Sequence, residues 1–181
     1  MKSKEIWEHL SKKIAKANTL VDLSQKILES VLFTKARYNI FIITVLDSYT
    51  RTIFLSIYHL FDRRYSWCLY SLPDLSEVEE NKIQEFLIEA RKYIDVRHKE
   101  VGHSSRRVKL EEHKQFQWLP DNELEKIKEL FKEISRFLNS YGMRKFNEGY
   151  TIHLGGPDTS LRCLIEDLEK ISLSREPRNI F

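Results

Sequence analysis

From Leu124 to Tyr141 the apolar residues Leu124, Ile127, Leu130, Phe131, Ile134, Phe137, Leu138 and Tyr141 recur at steps of three and one, so that each has another three or four residues away. An α-helix gathers such a series on one face, because its turn is close to that spacing. The same period governs most of the chain. Ile6, Leu10, Ile14, Ala17, Val21, Leu23 and Ile27 predict one long or two short amphipathic helices over 4–30. Ile83, Phe86, Leu87, Ala90, Ile94 and Val101 predict another over 79–101, and Leu161, Leu164, Ile165, Leu168 and Ile171 a last one. Between Ala36 and Phe61 the polar residues Thr44, Asp47, Ser48, Arg51, Thr52 and His59 recur at helical spacing within a mostly apolar run. That run is rich in β-branched residues, but its length and its lack of internal Gly or Pro predict a deeply buried helix rather than a strand.

The breaks between these stripes are few. Five Gly and four Pro in 181 residues are too few turn formers for a many-stranded sandwich, and 41% hydrophobic residues are too many for a disordered chain. Ser76 and Glu79, after Pro73, have capping-box spacing at the head of the 79–101 helix, and Gly102 marks its expected end. Asp121 or Asn122 is the expected cap of the next helix, with a stop near Gly142. Gly155, Gly156 and Pro157 precede the last helix, while Tyr150–Leu154 is at most a short strand without a partner. The expectation is one all-α domain over 1–181, an antiparallel bundle with an additional C-terminal helix.

Net charge is only +3, so any nucleic-acid site must be local. Between Arg91 and Lys109 seven basic residues (Arg91, Lys92, Arg97, Lys99, Arg106, Arg107, Lys109) stand against Asp95 and Glu100, a local excess of +5. Cys68 and Cys163 are far apart and form no CxxC, which fits a reducing, cytoplasmic setting. The first residues, MKSKEIWEHLSKK, carry no apolar signal core, and Ile40–Leu60 is interrupted by Asp47, Arg51 and His59, so no membrane association is expected.

Within that basic segment Arg97 follows Ile94 by three residues and precedes Val101 by four, which aligns a cation with an apolar stripe. It either snorkels and pairs with an acid such as Glu100, or lines a cleft where a fixed cation meets phosphate. His103 stands beside Gly102 at the expected helix end, and an imidazole titrating near neutral pH suits proton transfer. Competing sites lack the spacing. HKEVGH places four residues, not three, between its histidines, so no zincin metal site arises, and no Gly-rich phosphate loop or dinucleotide fingerprint occurs. No metal or other cofactor is expected. Tyr65, Trp67, Tyr70, Phe116 and Trp118 have faces suited to stacking on bases, but aromatics at helix boundaries more often cap a core.

In ARKYIDVRHKEVGHSSRR, Arg97 is followed by the polar His98 and, after four more residues, by His103. This segment resembles the HEPN family, whose ribonuclease members carry an Arg, a polar residue and then a His at a helix end. FLSIYHLFDRRYSWCLYSLPDL is similar to the AbiU-like abortive-infection branch of that family, and the helix order and LRCLIEDLEK agree with it. The resemblance implies a HEPN-like antiparallel bundle acting as a metal-independent endoribonuclease of a prokaryotic defence or toxin–antitoxin system. It implies Arg97 and His103 as catalytic residues, His98 in support, and Lys99, Arg106 and Arg107 as RNA-binding residues. It further implies a homodimer with a composite site, RNA as substrate and an antitoxin as a possible partner protein. The alternative is a non-catalytic helical module for dimerisation, nucleotide or partner binding.

Overall fold

A computed structural model describes residues 2–30, 39–96 and 119–149, which form four α-helices and one short 3₁₀ turn, with no strand among them. They are α1 (Lys2–Glu29), α2 (Asn39–Phe61), α3 (Glu77–Val96) and α4 (Asp121–Phe146). The expected last helix and the short stretch Tyr150–Leu154 lie outside the described residues. Among those described, no helix is long and apolar enough to cross a membrane.

The stretch expected as one long or two short helices is a single one, α1 over Lys2–Glu29, and α1 is the axis of the bundle, packed on α2 and on α4. Its stripe Leu10, Ile14, Ala17 and Val21 is buried, as the period requires. Pair contacts give the directions. Lys4 reaches Glu148 at 2.7 Å, Trp7 donates its indole N–H to the Leu138 carbonyl at 2.8 Å, and Lys128 meets Asp22 at 2.7 Å, so α4 runs antiparallel to α1. Ile27 packs with Ile42 and Leu46, whereas Lys13 approaches His59, so α2 also runs antiparallel to α1. Phe86 packs edge-on against Phe137, Lys92 pairs with Glu123, and Glu79 with Arg144, which sets α3 antiparallel to α4.

α3 starts as its sequence requires. The Ser76 N–H donates to Glu79 Oε2 at 2.8 Å and the Glu79 N–H donates to Ser76 Oγ at 3.3 Å, a complete capping box. The buried residues of its stripe are Ile83, Phe86, Ala90 and Tyr93, with Leu87 and Ile94 partly covered at its edge.

The two ends expected for α4 are corrected by the structure. Pro120 occupies the N-cap position, and neither Asp121 nor Asn122 does; the Pro120 carbonyl accepts from the N–H groups of Glu123 and Leu124 at 2.9 and 3.0 Å. Asp121 and Glu123 instead sit in the first turn, where acids complement the helix dipole. Nor does the helix stop at Gly142. It continues to Phe146 and ends at Asn147, whose N–H donates to the Met143 carbonyl at 3.2 Å and whose left-handed backbone (φ 53°) turns the Glu148 N–H back toward the Gly142 carbonyl at 3.5 Å. Gly142 serves packing, since a Cβ there would lie 2.5 Å from Cζ2 of Trp7.

Candidate functional site

The catalytic candidates Arg97 and His103, the supporting His98, and Lys99, Arg106 and Arg107 all lie outside the described residues. What the structure shows is the platform immediately before them. α3 runs to Val96, so Arg97 is the next residue in the chain. That end of α3 is tied to the head of α4. Lys92 Nζ lies 2.6 Å from Glu123 Oε2, Lys126 Nζ lies 2.8 Å from Glu123 Oε1, and the Tyr93 hydroxyl donates to Oε2 at 2.9 Å. Three donors, Lys126 foremost, hold the Glu123 carboxyl at about 2, against an ordinary 4.5, while burial and the Glu123 carboxylate push the Tyr93 phenol up. Lys92 is therefore partly neutralised and belongs to the scaffold, which trims the basic run counted from the sequence. Glu89, Lys92, Tyr93, Lys126, Glu129 and Glu133 edge a shallow cleft of about 540 Å³ along this seam.

A second polar cluster stands where the connector 62–76 crosses α1 and the end of α2. Its members are distant in sequence and no motif joins them. The Lys13 ammonium approaches His59 Nδ1 at 3.3 Å and lies 4.5 Å from the centre of the Tyr65 ring. Tyr65 stacks on His59 with centroids 4.7 Å apart, and the Trp67 ring meets His9 edge-on at 4.7 Å. Burial lowers the Lys13 ammonium; burial and then the neighbouring lysines, Lys13 first, lower the His9 imidazole, whose Nε2 is buried without a hydrogen-bond partner. Tyr65 and Trp67 thus cover a polar cluster rather than the apolar core expected of aromatics at helix boundaries.

The connector itself is firmly held. Leu69 and Leu72 are buried, the Tyr141 hydroxyl donates to the Pro73 carbonyl at 3.0 Å, and Arg144 binds Glu79 at 2.7 Å. Asp62 accepts from Arg64 Nε at 3.0 Å and is held well below the usual carboxylate range, chiefly by Arg64 and Tyr58. Beside it, Arg63 and Tyr70 border a recess that reaches the first turns of α3. Sequence reasoning singled out neither His9 and Lys13 nor Arg63, Glu80 and Gln84. The one local signal was the mixture of arginines and aromatics in DRRYSWCLY.

The described residues therefore define an all-helical antiparallel bundle with two polar surfaces on one connector and a pinned helix end. No family model, no curated protein and no solved structure matches the chain.

Proposed function

We propose that this chain is a HEPN-type, metal-independent endoribonuclease of a prokaryotic defence or toxin–antitoxin system. One observation supports it most. A packed helix, held at its C-terminal end by the Lys92–Glu123–Lys126 cluster, leads directly into the Arg97-His98 to His103 segment. The buried stripe at positions 83, 86, 90 and 93 steps by threes and fours, and the same stepping continued in the sequence falls next on position 97, a cation. A rigid support of this kind is what a phosphate-binding cation needs, because small misplacement costs catalysis steeply.

In this reading His103 moves the proton of the ribose 2′-hydroxyl or of the leaving 5′-oxygen. The 2′-oxygen forms a bond to phosphorus as the bond from phosphorus to the 5′-oxygen breaks, and Arg97 stabilises the charge that develops on the phosphate. The products are a 2′,3′-cyclic phosphate and a 5′-hydroxyl. His98 orients the arrangement, and Lys99, Arg106 and Arg107 hold the RNA backbone. Two chains supply one motif each to a composite cleft in a homodimer.

The test is incubation of purified protein with RNA in a chelator, followed by analysis of the ends. Cyclic-phosphate ends that disappear in Arg97→Ala and His103→Ala are the expected result. Intact RNA alongside an unaltered dimer would favour a non-catalytic helical module instead.

A further inference from the structure

The recess beside the connector is lined by Arg63, Cys68, Tyr70, Ser71, Glu80 and Gln84 and encloses about 400 Å³. Its polar groups have unused bonding capacity. The Arg63 guanidinium lies 4.3 Å from the centre of the Tyr70 ring and makes no ion pair among the described residues, whereas the neighbouring Arg64 is tied to Asp62. The Tyr70 hydroxyl is buried and makes no well-formed hydrogen bond among the described residues; burial pushes the phenol up, and the nearby Arg63 guanidinium pulls it partly back. Among the described residues the side chains of Glu80 and Gln84, on the first turns of α3, form no hydrogen bond or ion pair either. Ser71 and the buried Cys68 engage each other, hydroxyl to sulfur at 3.2 Å.

The chemistry of these groups narrows the ligand. A free anion would gain from Arg63 and be repelled by Glu80, and a free cation the reverse. Both together suit a flat, neutral molecule with acceptors on one edge, held by the Arg63 fork, and donors on another, held by the Glu80 carboxylate. Guanine has that pattern: O6 and N7 accept from a guanidinium fork, and the N1–H and N2–H groups donate to a carboxylate. Adenine places an amino donor beside N7, where Arg63 needs an acceptor. Cytosine and uracil offer smaller faces for stacking. Bases of single-stranded RNA are commonly recognised this way, splayed onto aromatic and guanidinium planes and read along their edges.

We propose that this recess binds an unstacked guanine base of a single-stranded RNA. That the base belongs to RNA rests on the ribonuclease reading, while its guanine character rests on Arg63, Tyr70, Glu80 and Gln84. Gln84 stands twelve residues before Val96, roughly 18 Å along α3, so the recess reads a base removed from the scissile bond.

The test is calorimetric titration of the full chain with guanosine, adenosine, cytidine, uridine and inorganic phosphate. Guanosine is expected to bind roughly tenfold or more tightly than the other nucleosides, as one well-made bidentate base contact confers. Inorganic phosphate is expected not to compete with it. Arg63→Ala and Glu80→Gln alter exposed side chains, so their circular dichroism should match the parent, and each should erase most of the preference. A uridine oligomer carrying one guanine should likewise bind more tightly than the plain oligomer. Guanosine held no more tightly than adenosine, or an unchanged preference in Glu80→Gln, would overturn the proposal. If guanosine is selected but RNA is never cleaved, the recess stands as a guanine site and the ribonuclease reading falls. If RNA is cleaved through Arg97 and His103 without guanosine selection, the recess proposal alone falls.

Discussion

Gly142 shows how one missing methyl group fixes a helix crossing. Trp7 is 1% exposed and its indole ring fills the space that a Cβ at 142 would need, with the Glu148 carbonyl at 2.9 Å on the same side. Gly142→Ala gains about 1 kcal/mol of helix propensity, but overpacking a rigid ring typically costs 1–3 kcal/mol, so a net loss of about 1 kcal/mol is expected in denaturant unfolding. Glu123 makes a second prediction at this scale. Its carboxyl is held at about 2 against an ordinary 4.5, so the folded state binds this proton less tightly than the unfolded chain. Its stabilising contribution is complete above about pH 4.5 and is lost as pH falls towards 2. Glu123→Gln should therefore cost about 1–3 kcal/mol at pH 7, with the difference from the parent shrinking as the pH drops through that window. Urea unfolding at stepped pH checks both the sign and the range.

At the scale of the element, α3 is fixed at both ends by side chains. Its N-terminus has the Ser76–Glu79 capping box, and Glu79 also takes the Arg144 guanidinium at 2.7 Å, which joins the start of α3 to the end of α4. Ser76→Ala should lower stability by about 1 kcal/mol, and amide hydrogen exchange should quicken at Glu79, whose N–H loses its acceptor, more than at Ala90 in the middle of the helix. Equal acceleration along α3 would mean that the cap acts globally rather than locally. The capping box was legible in the sequence because it is a contact three residues apart. The true ends of α4 were not, because Pro120 caps through its carbonyl and Gly142 answers to Trp7, far away in the chain.

For the whole molecule, binding and turnover should separate. In the proposed composite cleft, His103→Ala and Arg97→Ala should reduce RNA cleavage on the order of 10²- to 10⁴-fold with little loss of RNA affinity. Arg106→Ala should weaken binding of any RNA and lower the salt dependence of binding by about one phosphate contact while leaving turnover of bound RNA largely intact. Filter binding across a salt series, beside single-turnover cleavage, measures the two effects. Equal loss of affinity and turnover in His103→Ala and Arg106→Ala would undo that division of labour.

The helical character of this protein was set by its sequence alone, because an apolar stripe is a local property: Leu124 to Tyr141 and Leu10 to Val21 can bury one face only as helices. The Arg97, His98 and His103 candidates were likewise read as neighbours along one segment, and that segment lies outside the described residues. What tertiary structure decided was which distant residues share a surface. Lys13 meets His59 and Tyr65 because α2 runs back along α1, and Lys92 pairs with Glu123 because α4 runs back along α3. Arg63 and Tyr70 face Glu80 and Gln84 because the connector is anchored by Leu69, Leu72 and Tyr141. No periodicity encodes such meetings, since they depend on how one buried face packs against another, and packing is a property of the folded chain.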